Sequence, residues 1–137
     1  MILVDTNVWS ELTRPAPDVT VQNWERANAS QLWLSTIVIG ELLSGAHMLP
    51  EGRRKQVFLD GYGGLIEQYL DRIAPFDLDA ALCYGAILAD LEKSGRNPTT
   101  ADTQIAAIAR SRNMALATRN VKHFAGLGIV LIDPWGT

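Results

Sequence analysis

Five short stretches of this chain are too brief for helices and carry apolar residues without the alternation of a half-buried strand. They read ILV (residues 2–4), LWLS (32–35), RIAPF (72–76), MALAT (114–118) and IVLID (129–133). Short apolar runs of this kind suit strands buried on both faces. Longer segments of helical composition separate them, and strands alternating with helices imply a parallel sheet covered on two sides. The fold class expected is therefore α/β, three-layered, with a central parallel sheet. Pro75 counts against a hydrogen-bonded central position for the third strand. In open parallel sheets, functional groups gather beyond the carboxyl ends of the strands. Asp5 and Thr118 stand at such ends, and Asn120 follows closely.

The intervening helices are expected over 8–13, stopped by Pro15 and Pro17, and over 18–29, with Asp18 as a cap and Val21 and Trp24 inward. A further helix covers 36–49. Helical composition returns at 51–60 and 65–72, with GYGG (61–64) as an interruption. Over 78–94, Leu78, Ala81, Leu82, Gly85, Leu88 and Ala89 repeat at helical spacing, and Gly95 is placed to end the helix. The last long helix spans 99–113, with Ile105, Ile108 and Ala109 inward. The 137 residues are expected to form one domain, with no repeat, linker or low-complexity tract.

Composition narrows the function classes. A net charge of −3 argues against nucleic-acid binding through a broad basic face. It leaves room for an acidic site that holds RNA through a bound cation. The single cysteine, Cys83, precludes a disulfide within the chain and suits a reducing cytoplasm. No basic leader opens the sequence, and no run reaches the roughly 18 apolar residues of a membrane span. His47 and His123 have no zinc-ligand spacing. Neither a P-loop nor a Gly-x-Ser-x-Gly elbow occurs.

Three acids stand out. Glu41 falls between Ile37, Val38, Gly45 and Met48 on a helical wheel whose opposite side carries Ile39 and Leu43, so this helix, apolar nearly all round, is expected to be buried. An ionised buried Glu needs a partner such as Arg14 or a task. Asp102 sits three residues after Thr99, imitating a capping box, so a cap and a functional role are both open. Asp5 could equally be an N-cap. Of the other acids, Asp77 and Asp79 read as caps, Asp133 as a turn residue before Pro134, and the rest as solvated. Three carboxylates that converged would repel one another. A divalent cation such as Mg²⁺ or Mn²⁺, favouring oxygen ligands, would remove that conflict and suit phosphoryl chemistry.

The segments ILVDTNVWSEL, LSTIVIGELLSG, RIAPFD, ADTQIAAIARSRNMALATRNVKHF and LGIVLIDPW, in this order, resemble the PIN-domain ribonucleases. Within them the chain is most similar to the VapC/FitB-like toxins of type II toxin–antitoxin pairs. The resemblance implies an endoribonuclease dependent on Mg²⁺ or Mn²⁺, with Asp5, Glu41 and Asp102 as metal-binding and catalytic acids. Thr6, Asn7 and Thr118 are implied as supporting polar residues. Asn120 lies near a place where relatives often supply a fourth acid, and with Thr118 would position water or phosphate oxygens. Asp5 and Asp102 would bind the cation directly, and Glu41 would bind it or orient a coordinated water for in-line hydrolysis. No carboxylate lies between Asp102 and Asp133, His123 standing where many relatives have Asp, so one metal, or a second held only weakly or by substrate, is expected. Arg14, Arg119 and Lys122 are candidates for RNA backbone contacts. The partners implied are a small antitoxin protein and a second copy of the chain, with DNA bound only through the antitoxin. Two other classes remain open: a haloacid-dehalogenase-like phosphatase, which also opens on a strand and an acid but would need a second acid at Asn7, and a non-catalytic PIN interaction module.

Overall fold

A computed structural model describes residues 1–136, so Thr137, the last residue of the expected domain, lies outside the described residues. Five parallel strands form one sheet: β1 (Ile2–Val4), β2 (Leu32–Ser35), β3 (Ile73–Ala74), β4 (Ala115–Ala117) and β5 (Leu131–Ile132), in the order β3-β2-β1-β4-β5. Leu3 is in register with Trp33 on one side and Leu116 on the other. Leu3, Val4, Leu32, Leu34, Leu116 and Ala117 are fully buried, as a sheet covered on both faces requires. The strand β3 stops one residue short of Pro75, which has no N–H to offer a ladder.

Among the described residues, seven α-helices flank the sheet in a three-layer α/β/α arrangement: α1 (Thr6–Leu12), α2 (Val19–Asn28), α3 (Thr36–His47), α4 (Arg53–Gln68), α5 (Leu78–Lys93), α6 (Thr100–Ser111) and the single turn α7 (Val121–Phe124). Local side chains start most of the long ones. Asp18 caps α2 through Thr20 and Val21, Ser35 caps α3 through Val38, and Asp77 caps α5 through Ala80. Asp79 falls inside the first turn of α5 and is not its cap. Gly95, at φ +73°, closes α5 with paired bonds from Gly95 N to Glu92 O and from Arg96 N to Leu91 O, the Schellman pattern.

The structure departs from the sequence-based reading in several places. Helix α1 begins at Thr6, two residues early, because the Asp5 carboxylate accepts the Thr6 N–H and starts the turn there. The GYGG stretch does not interrupt anything: α4 runs through it, anchored by buried Tyr62. A Cβ at Gly61, Gly63 or Gly64 would meet nothing within 4 Å, so no close approach dictates glycine there. On α5 the buried positions are Ala80, Ile87 and Leu91, while Leu78 and Leu82 are 73% and 67% exposed. Two apolar stripes compete on this helix, and the one on the side of its neighbour α6 is the one buried. Ile105, Ile108 and Ala109 of α6 face inward as expected.

Candidate active site

The sheet order reverses about β1: the chain first moves to β2 and β3, then returns to lay β4 on the other side. Ligands in open α/β sheets bind at the carboxyl end of such a crevice. Asp5 leaves β1 and Thr118 leaves β4, side by side at that end, with Asp5 N bonded to Ala117 O at 2.9 Å.

Asp5 is 4% exposed and both oxygens of its carboxylate accept hydrogen bonds. Oδ1 accepts the Thr6 N–H at 2.8 Å, and Oδ2 accepts the Thr118 hydroxyl at 2.7 Å and the Asn7 amide at 3.3 Å. Asp5 is thus both an N-cap and a member of a polar network, so the two readings of this residue are not exclusive. Thr118 also accepts the Asn120 N–H at 3.1 Å, and Asn7 Oδ1 accepts the Arg119 N–H at 3.3 Å. Asn7 therefore ties the start of α1 to the loop after β4.

Burial pushes the Asp5 carboxyl above the usual carboxylate range, against the lowering effect of the Thr118 and Thr6 hydrogen bonds. The negative charges of Asp102 and Glu41 raise it further, which places all three acids within one electrostatic neighbourhood. Glu41 reaches this centre from α3, where its Oε1 accepts the Thr6 hydroxyl at 2.6 Å. Contrary to expectation it is exposed, because α3 buries only the stripe Val38, Leu42 and Ala46 and turns Gly40, Glu41 and Ser44 outward. Nor does Arg14 neutralise it: the Arg14 guanidinium lies 3.2 Å from Glu11.

Asp102 reaches the centre from the first turn of α6. Its backbone N–H donates to Thr99 Oγ1 at 3.1 Å, which is half of a capping box. The carboxylate instead lies 3.5 Å from His123 Nδ1. Asn120 is exposed and contributes its backbone N–H to Thr118. Of the basic candidates, Arg119 stacks on the Trp135 ring at 4.7 Å, and Arg14 lines the same cleft between Asn7 and Tyr62. Lys122 lines a different hollow, of which Asp102 forms part of the wall.

The PIN domain family model matches residues 2–128. The chain belongs to the PIN-domain family. Its relatives include the VapC ribonuclease Y4jK of Sinorhizobium fredii, 37% identical over 98% of each chain. Toxin FitB of Neisseria gonorrhoeae is 33% identical over 98% of this chain and 99% of its own. The structure of FitAB bound to the IR36 DNA fragment superposes with a TM-score of 0.92 at 32% identity, over 100% of this chain and 97% of that one. This PIN domain accordingly has the three-layer fold that the sequence resemblance implied, and the phosphatase alternative falls. The position such a phosphatase would need as its second acid is Asn7, whose amide is bonded to Asp5, Thr118 and Arg119.

Ribonucleases of the PIN family are generally dependent on divalent metal ions. The donor chemistry here fits such an ion. A buried carboxylate is repelled by two others, and among the described residues no lysine or arginine ion pair neutralises any of the three. Among the described residues no three acids, histidines or cysteines already close on one point. Asp5 is the fixed member of the set, while Glu41 and Asp102 approach from helix surfaces.

Sequence reasoning missed the contact between His123 and Asp102. His123 lacks ligand spacing with any other histidine or cysteine, and its placement depends on where α7 packs. It also missed Trp135 as the support of Arg119. A tryptophan at the end of a strand-turn segment carries no signal of which side chain will lie on it.

Proposed function

We propose that this PIN domain is the toxin of a type II toxin–antitoxin pair, an endoribonuclease that hydrolyses RNA phosphodiester bonds with Mg²⁺ or Mn²⁺. One observation carries the reading. Asp5 is buried at the switch point of the sheet, its ionised form disfavoured by burial and by Asp102 and Glu41, so the site is poised to gain a cation. Asp5 and Asp102 are the assigned ligands, and Glu41 is a third ligand or holds a coordinated water. A divalent ion bound there polarises a phosphate oxygen and lowers the pKa of a bound water.

The remaining residues act by position. Thr118 and Asn7 fix the second oxygen of Asp5, and Thr6 ties the first acid to Glu41 through its N–H and hydroxyl. Asn120 is assigned to orient water or phosphate, and Arg14 and Arg119, which line one cleft with Asn7, are the RNA backbone contacts. A cognate antitoxin protein completes the assembly and provides the contact to DNA. A second copy of the chain is the partner for the exposed Leu78 and Leu82 stripe of α5. No helix among the described residues is long and apolar enough to cross a membrane; the cytoplasm is the proposed compartment, in keeping with the free Cys83.

Cleavage of a mixed RNA pool by antitoxin-free protein tests the reading, with Mg²⁺, Mn²⁺ or EDTA. Cuts that require metal support it. Intact RNA under both metals, from protein that melts cooperatively, favours the non-catalytic interaction module instead.

Thr118→Val probes the supporting network. It removes the hydroxyl donor to Asp5 and the acceptor for Asn120 while nearly preserving volume. Partners of this kind are worth about 10- to 100-fold in metal affinity. A Mn²⁺ titration followed by electron paramagnetic resonance should show a loss of that order, restored by Thr118→Ser. An unchanged affinity would remove Thr118 from the site.

A further inference from the structure

The single turn α7 is too short to hold its own shape, and its last carbonyls have no partners within the helix. Arg96, from the loop between α5 and α6, supplies them. Its guanidinium donates to Ala125 O at 2.6 Å, His123 O at 2.8 Å and Lys122 O at 3.3 Å. A cation at the carbonyl end of the turn is also favoured by the local dipole. The same turn is tied to α6 through His123 and Asp102. Between the two attachments lies a hollow of about 250 Å³, walled by Asn97, Pro98 and Thr99 on one side and by Lys122 and His123 on the other. Asp102 is part of its lining, so the hollow adjoins the acidic centre through that residue. Lys122 is exposed, and among the described residues no acid pairs with it.

We propose that this hollow is a subsite for the RNA phosphate adjacent to the scissile one, with Lys122 as its phosphate-binding group and Arg96 as the residue that positions it. The inference rests on the endoribonuclease reading and adds a place and a direction to it. A strand whose reacting phosphate lies beside Asp5 and Asp102 must continue past one side of Asp102. The hollow that Asp102 lines offers the unpaired Lys122 ammonium, whereas in the hollow that Glu41 lines the cation is Arg54, which lies over the Phe58 ring and shares that space with the Glu41 carboxylate. Arg96 makes three bonds to carbonyls, so its charge is committed to the backbone. Its contribution is to hold the Lys122 backbone at the hollow's edge.

The test is steady-state cleavage of a fluorescein-labelled single-stranded RNA that the wild-type protein cuts, measured across a salt series. Lys122→Ala should raise KM roughly tenfold, the scale of one charge-assisted hydrogen bond, and leave kcat within about twofold. It should also flatten the dependence of log KM on log salt by about 0.7, the release expected for one phosphate contact on a single strand. Lys122→Arg should restore most of both. Arg96→Leu should raise KM in the same way. Arg96→Lys, which keeps one donor and the charge, covers the case in which the leucine variant does not fold. Arg26→Ala on α2, an exposed cation remote from the hollow, is the control. A Lys122→Ala protein with wild-type KM and salt slope overturns the subsite and leaves the nuclease reading standing, as does an equal shift in Arg26→Ala. A wild-type protein that neither cuts nor binds RNA under either metal overturns both.

Discussion

Asp5→Asn and Asp102→Asn should each reduce metal-dependent RNA cleavage by at least about 100-fold, since supporting partners alone are worth about 10- to 100-fold. Both substitutions keep side-chain volume, which matters most at Asp5. An amide there can still accept the Thr6 N–H, so α1 should still start at the same residue. What is lost is the negative charge that makes the crevice attractive to a cation. At Asp102 the backbone cap from Thr99 is untouched by the change, because the hydroxyl accepts from the backbone N–H and not from the carboxylate. Cleavage rates beside circular dichroism and melting curves separate lost chemistry from lost fold. Full activity in Asp5→Asn would refute the assigned role of the first acid.

The second large effect is on stability. A metal ion at about 100 times its Kd should stabilise the protein by about 2.7 kcal/mol if it binds only the folded state. For a chain of this size that corresponds to a rise in Tm of roughly 10 °C. The rise should grow with pH. Because the Asp5 carboxyl is pushed above its ordinary range in the folded state, the native protein holds that proton more tightly than the unfolded chain. Without metal, the stability tied to this group is fully present below the ordinary carboxylate pKa. It is lost as pH rises from there through the raised value. Metal binds the ionised form and recovers the loss. Melts in EDTA across this window, for wild-type and Asp5→Asn protein, should therefore diverge, with the wild type declining relative to the variant. Adding Mg²⁺ or Mn²⁺ should lift the wild type alone. A difference between the two that is flat with pH would show that Asp5 carries no such burden.

Much of the architecture was legible beforehand because its signals are local. The apolar strand segments need no partner to be recognised, and polar residues that follow the first and fourth of them, Asp5 and Thr118, mark the rim of a parallel sheet. Caps such as Asp18 and Asp77 and the stop at Gly95 depend on bonds within a few residues, so composition near a helix end is enough to place them. Asp5 and Thr118 were locatable at one rim for the same reason. Their direct bond, across 113 positions of sequence, was not.

The misjudged features share a different origin. Helical periodicity on α5 offers two apolar stripes, and choosing between them requires knowing where α6 packs, which leaves Ala80, Ile87 and Leu91 buried. Glu41 looks buried on a helical wheel because the helix is apolar on most sides, yet only Val38, Leu42 and Ala46 are fully buried, Ile37, Ile39 and Leu43 are partly so, and the face of Gly40, Glu41 and Ser44 is left open. The meeting of His123 with Asp102 and the grip of Arg96 on α7 join segments through space with no local pattern to announce them. Local chemistry thus specified the elements, their ends and the acids available. Which faces were covered, and which charges were left facing one another at the rim, followed from long-range packing, where the energy lies in contacts that a linear pattern does not contain.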